Sequence, residues 1–343
     1  MAKRRAVVIA PGRGTYNKGE LGYLARHHQG QHELIAEFDR RRAELGQPGL
    51  SALDSAGSYS AATLTRGDNA SGLIYACSLA DFMAIDRERF DVVAVTGNSM
   101  GWYSALACSG ALDASQGFDL VNAMGTRMHE QGVGGQVIHT TLDEDWQPLP
   151  GRREELLALR DAIPDLHVSI ELGGMIVFAG TDAALAAFTA RAPVGPGRFP
   201  LRLGNHAAFH SPLLTQIASD ARQVIPASWF RQPDVPLIDG RGQIWRPHMT
   251  DLAALWRYTL DHQIVRAYDF TRAVTVAARE FAPDCLIILG PGDTLGGAVL
   301  QSLIAARWRG WESKAHFERC QADARHVLAM GRQPQRVGVV SKG

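Results

Sequence analysis

Cysteine is scarce in this chain, neither sign of charge is in excess, and no apolar run is long enough to cross a bilayer. The four cysteines, Cys77, Cys108, Cys285 and Cys320, are scattered through apolar or helical contexts. Neither a disulfide framework nor a Cys/His metal site is expected, and buried thiols in a cytoplasmic protein are. Lys and Arg total 35, as do Asp and Glu, so no bulk field draws in nucleic acid or an anionic membrane. A local basic patch for an acidic protein partner stays open. The start, MAKRRAVVIAPGRG, places basic residues before an apolar run. That run is short and stops at Pro-Gly without a small-residue cleavage site, so a first strand is expected and an export signal is not. Internal repeats and low-complexity segments are absent.

What is there suits an ordinary globular enzyme: 343 residues, 46% hydrophobic and 20% charged, enough for one large domain with an inserted subdomain. Residues 5–10 and 91–96 read as buried strands, each running into a glycine-containing turn. Helical spacing covers 31–45, 70–86, 100–110 and 115–131. The texture changes at Gly132-Val133-Gly134-Gly135. From there the pattern predicts strand, helix (152–162), strand (166–171), strand (175–179), helix (181–191) and strand (198–203), a β-α-β-β-α-β order of ferredoxin-like type. The expected organisation is an α/β body of residues 1–132 and 205–330, a small subdomain of 133–204, and a loose tail of 331–343. A late strand, 285–289, runs into Gly290-Pro291-Gly292.

Chemistry concentrates at Gly97-Asn98-Ser99-Met100-Gly101. A small-x-Ser-x-Gly turn between a buried strand and a helix holds the serine at a strained apex, and small neighbours let the two elements approach. The helix starting near Met100 aims its amides and positive dipole end at the same point, where a developing oxyanion would be stabilised. Serine needs a base. Of 12 histidines, His27, His28 and His32 sit in a polar segment and read as surface residues. His129, His139, His167 and His248 have no chemical neighbours in sequence. His210, in Ala208-Phe209-His210-Ser211-Pro212, reads either as that base or as a helix-entry residue.

The turn GNSMGWYSALACSGALD resembles the nucleophile region of malonyl-CoA:acyl-carrier-protein transacylases and polyketide synthase acyltransferase domains. AAFHSPLL resembles that family's Phe-His-Ser-Pro stretch, APGRGTY its early Pro-Gly-Gln-Gly loop and LGPGDTLGG its late Gly-Pro-Gly loop. Gln263, seven residues before Phe270, resembles a family glutamine at that spacing. These segments occur in the family's order over most of the chain. The resemblance implies an α/β-hydrolase-like large subdomain carrying the ferredoxin-like insert. It also implies a Ser99–His210 pair, with backbone amides of Met100 and Arg13 as the oxyanion hole and a main-chain carbonyl near Gln263 orienting the histidine. The implied reaction is ping-pong transfer from a CoA thioester, a substrate rather than a bound cofactor, to the phosphopantetheine thiol of an acyl carrier protein in fatty-acid or polyketide assembly.

The sequence departs from the family around the acyl group. Malonyl-transferring members place an arginine on the helix after the nucleophile, and Met124 occupies that position here. An apolar wall there predicts an uncharged acyl group. Arg127, three residues on, could reach back and restore malonyl transfer. Asn98 replaces the usual His and Trp102 the usual Glu or Gln, so both are candidate pocket residues, with packing between helices as the other reading of Trp102. Phe209 resembles the bulky residue of members taking unbranched acyl groups, and Ser169 and Glu171 stand roughly where the family carries asparagines. A carrier-protein thioester hydrolase and a non-catalytic carrier-binding scaffold are the competing functions. A generic esterase would leave the ordered segments unexplained.

Overall fold

The computed structural model describes residues 2–341. Among them, eleven strands form two sheets: β1 (Arg4–Ala10), β2 (Phe90–Gly97), β3 (Gly135–Thr140), β4 (Leu166–Leu172), β5 (Met175–Gly180), β6 (Leu201–Leu203), β7 (Leu237–Ile238), β8 (Ile244–Trp245), β9 (Tyr268–Asp269), β10 (Cys285–Ile288) and β11 (Val327–Ala329). The large sheet runs β11-β10-β1-β2-β7-β8, parallel throughout except for the β7–β8 pair. A parallel sheet needs both faces covered, and Ala6 through Ala10 of β1 are accordingly all sealed from solvent. The helices Gly101–Cys108 and Phe270–Phe281 pack on β1 and β2, and against the first of them lies the helix Gly67–Ala84. It is apolar on nearly every side and packs along the helix Ala114–Glu130.

The segment from β3 to β6 includes the helices Arg152–Ala162 and Asp182–Arg191, and its strands pair antiparallel in the order β6-β3-β5-β4. This is the ferredoxin-like arrangement inserted in a larger α/β body, with a core of its own around Val137, Leu156, Phe178, Leu185 and Phe188. Two details differ from expectation. The last strand begins at Leu201 rather than 198, after a Pro193–Pro200 stretch rich in residues that disfavour strand pairing. The edge of β4 is capped by β9, from the later body, with Ile170 opposite Tyr268. That pairing supplies partners for an otherwise open edge and ties the insert to the segment that follows Gln263.

The expected loose tail is a correction. Residues 333–336 form a helical turn, Val339 is buried, and Val340 bridges to Ile85. Residues 342 and 343 of that tail lie outside the described residues. Arg336 donates to the fully buried Asp81 at 2.6 Å. Asp81 also receives Tyr23 Oη at 2.8 Å, the Gly290 amide at 2.7 Å and the imidazole Nε2 of His28 at 2.8 Å. His28 is therefore a buried hydrogen-bond partner of Asp81, not the surface residue its polar neighbours suggest. Burial alone would raise the Asp81 carboxyl, but His28 and Arg336 outweigh it and hold it below its usual range. Removing one partner of such a buried network leaves an uncompensated charge. Arg336→Met should cost about 3–5 kcal/mol of unfolding free energy in urea titrations. A loss under about 1 kcal/mol would return the C-terminal segment to the status of a loose tail.

Candidate active site

β2 ends at Gly97 and the helix Gly101–Cys108 begins four residues later. The chain can turn that sharply only because both positions lack a side chain. A Cβ on Gly97 would lie 2.1 Å from the Gly101 carbonyl oxygen, and one on Gly101 would lie 2.3 Å from that of Ala10. Between them Ser99 sits at φ 55°, a left-handed conformation that costs a non-glycine residue on the order of 1–2 kcal/mol. Among the described residues, neither the Met100 nor the Arg13 backbone N–H has a hydrogen-bond acceptor. Met100 is the N-cap of the following helix, so its amide is one of the donors a helix start leaves unpaired.

His210 reaches the same point from the loop after β6. Its Nε2 lies 2.7 Å from Ser99 Oγ, and its Nδ1 lies 2.5 Å from the carbonyl oxygen of Gln263. A carbonyl can only accept, so Nδ1 carries the proton and Nε2 is left as the acceptor facing the serine hydroxyl. Gln263 has a free carbonyl because its helix, Gln263–Val265, ends within a turn, and the last carbonyls of a helix have no amide to accept from. Burial lowers His210 to about 4, partly opposed by the Gln263 bond, so the imidazole is neutral at physiological pH.

Gln263 contributes a second contact that its place in the sequence did not reveal. Its side-chain Nε2 donates to the Ser99 carbonyl at 3.1 Å, and Tyr103 Oη donates to its Oε1 at 2.9 Å. One residue thus holds the histidine through its main chain and the serine backbone through its amide. Tyr268 Oη donates to the Gly97 carbonyl at 2.6 Å, and its ring lies 5.4 Å from that of His210. Neither tyrosine carried a signal, since each acts through folding of distant segments. Ser169 bonds the Phe209 carbonyl at 2.7 Å and receives Gln136 Nε2 at 2.6 Å, bracing the loop before His210. Glu171 points elsewhere, paired twice with Arg153.

Two hollows meet at Ser99. A cavity of about 40 Å³ is lined by Arg13, Ser99, Met124, Met128, Phe209 and His210, among others. A cleft of about 280 Å³ opens between the two sheets, with Asn98, Ser99, Ile138, Ile170, Met175 and Leu295 on its walls. Met124 therefore stands beside the serine, Phe209 borders both hollows, and Asn98 faces the cleft with its Oδ1 buried and unpaired among the described residues. Two expected pocket residues are corrected. Trp102 lines neither hollow. It is fully buried, edge-on to Tyr258, and donates to Thr259 Oγ1 at 3.1 Å, because a residue three past the turn apex points into the helix packing rather than over the serine. Arg127 lines a separate surface groove with Arg41 and Glu44 and bonds the Ala123 carbonyl, one turn back on its own helix, at 3.3 Å.

No family model matches the chain. It is 26% identical over 318 residues to the phenolphthiocerol synthesis polyketide synthase type I Pks15/1 of Mycobacterium marinum, a match covering 88% of this chain but 14% of that synthase. It is 26% identical over 297 residues to the malonyl CoA-acyl carrier protein transacylase of Salmonella typhimurium, covering 84% of this chain and 90% of that enzyme. A malonyl-transacylase solved in complex with its type II polyketide synthase acyl-carrier protein superposes with a TM-score of 0.74 at 20% identity, over 98% of this chain and 99% of that one. By sequence, the chain is similar to malonyl CoA-acyl carrier protein transacylases along most of their length and to a short segment of type I polyketide synthases, and by fold it is similar to malonyl-transacylases of known structure.

Proposed function

We propose that this chain is an acyltransferase that takes an acyl group from a CoA thioester onto Ser99 and passes it to the phosphopantetheine thiol of an acyl carrier protein, in fatty-acid or polyketide assembly. The observation that carries the reading is the 2.7 Å approach of Ser99 Oγ to the acceptor nitrogen of a neutral His210. His210 Nε2 takes the serine proton as Oγ forms the C–O bond to the thioester carbon, and the amides of Met100 and Arg13 receive the oxyanion. The C–S bond then breaks, and His210 returns its proton to the departing thiolate. A carrier thiol, deprotonated by the same nitrogen, attacks the ester and frees Ser99. No tightly bound cofactor enters this scheme.

Support for the carrier as acceptor comes from the related transacylase whose structure contains one. The cleft between the sheets reaches Ser99 and suits the arm of either thioester, and the small cavity beside Ser99 suits a short acyl group. The helix Ala114–Glu130 offers that cavity Met124 and no cation, with Arg127 outside it. The expectation of an uncharged acyl group rests on that helix alone.

Incubation with short acyl-CoA thioesters should add one acyl mass to the intact protein. Ser99→Ala should abolish the adduct, and His210→Ala should slow its formation by roughly 10²–10⁴-fold. Discharge to added holo-carrier at the rate of turnover supports transfer, whereas equally fast loss in buffer alone would make the protein a hydrolase. The depressed His210 sets a second expectation. Labelling of Ser99 by a sulfonyl fluoride should stay level from pH 8 to about 5 and fall with a midpoint near 4. A midpoint near 6.5 would mean that the imidazole is not held neutral by burial. Between those two values the unfolded chain binds a proton that the folded one refuses, so stability declines with acid over that window.

A further inference from the structure

Arg13 stands in the loop after β1 where only its backbone amide was expected to act. Arg13 lines both the small cavity and the cleft, and its guanidinium lies 5.3 Å over the ring of Phe209, which borders the same two hollows. Nη2 donates to the carbonyls of Thr65 at 2.9 Å and Asn205 at 2.7 Å, which fixes the guanidinium in place. Among the described residues, neither Nη1 nor the fully buried Nε has a hydrogen-bond partner, and no carboxylate lies within 4.0 Å. Asp68, the nearest acid to influence it, is already paired with Arg66 at 2.9 Å.

The free nitrogen has a definite address. A Cβ on Gly67 would come within 3.4 Å of Arg13 Nη1 and within 2.7 Å of the Gly125 carbonyl oxygen, and Gly125 lines the small cavity next to Met124. The guanidinium therefore lies against the very turn of the 114–130 helix that supplies no cation of its own. Burial lowers Arg13 to about 10, with Asp68 opposing, which leaves it charged at neutral pH. A desolvated cation with unused donors and no counter-charge is costly unless a ligand supplies the anion.

Building on the acyl-transfer reading, we infer that Arg13 is the specificity-determining cation of the small cavity and that the acyl group carried on Ser99 bears a free carboxylate, held by the Arg13 guanidinium from the loop after β1. The charge that Met124 withholds is delivered from a different element of the fold. A short dicarboxylic acyl group such as malonyl fits both this cation and the cavity's size.

The test compares kcat/KM for malonyl-CoA and acetyl-CoA on the intact protein, with acyl-Ser99 formation followed by mass. Wild type should favour malonyl-CoA. Arg13→Gln should lower the malonyl value about 10- to 100-fold, the range of a hydrogen bond to a charged group, with a smaller change for acetyl-CoA. Arg13→Lys, which keeps the charge, should retain more of the malonyl preference than Arg13→Gln. Should Arg13→Gln fail to fold, the wild-type preference and Arg13→Lys carry the test. Preference of wild type for acetyl-CoA, or an equal loss for both donors in Arg13→Gln, overturns the inference while leaving acyl transfer standing. Absence of any adduct on Ser99 from either donor overturns both.

Discussion

Everything at this site depends on how closely the chain passes itself at Gly101, where a methyl group would sit 2.3 Å from the Ala10 carbonyl oxygen. That contact presses the start of a helix onto the end of the neighbouring strand, and the short turn between them has one way to close. Ser99 is forced into a left-handed conformation and pushed clear of the sheet, with the Met100 amide unpaired beside it. The strain is small against the total stability of a domain this size. It is absorbed by a sheet whose central strand is buried on both faces.

The histidine is positioned by a different means. It comes from a loop in which His210 itself has a positive φ, and such a loop would be poorly defined if left to local forces. Gln263 supplies the definition. Because its main chain holds the imidazole and its side chain holds the serine backbone, any drift of one partner is felt by the other. The segment just upstream, Tyr258–His262, is a widened π-type helical turn, a distortion common near functional sites because it re-aims the groups that follow. Downstream, β9 docks on the inserted subdomain and Tyr268 bonds back to Gly97. The stretch from Gln263 to Asp269 thereby links both subdomains to the serine turn.

Much of this was legible in the chain itself. The strand–turn–helix around Ser99 is a local pattern of burial and glycine, and such patterns survive folding nearly unchanged: β2 spans Phe90–Gly97 where a strand over 91–96 is expected. The ferredoxin-like order follows from alternation and turn residues in the same way. What escaped is long-range. The tail is pinned by an arginine 255 positions from its carboxylate, and nothing near His28 hints that Asp81 will bury it. Trp102 is a pocket candidate by its place in the motif after Ser99 and Arg127 by helical spacing, but a helix position fixes direction only once its neighbours are known. Arg13 is the instructive case. Its backbone role could be guessed from the loop it occupies, while its guanidinium acquires meaning only beside Gly67 and Gly125, which come from two other helices.

The role of Ser99 as a covalent way-station can be tested without a carrier protein. If an acyl-serine forms and reverses, the enzyme should catalyse exchange of isotopically labelled CoA into unlabelled acyl-CoA in the absence of any acceptor, and Ser99→Ala should not. Exchange that appears only after carrier is added would mean that both substrates must be bound at once. The covalent intermediate on which this reading rests would then be contradicted.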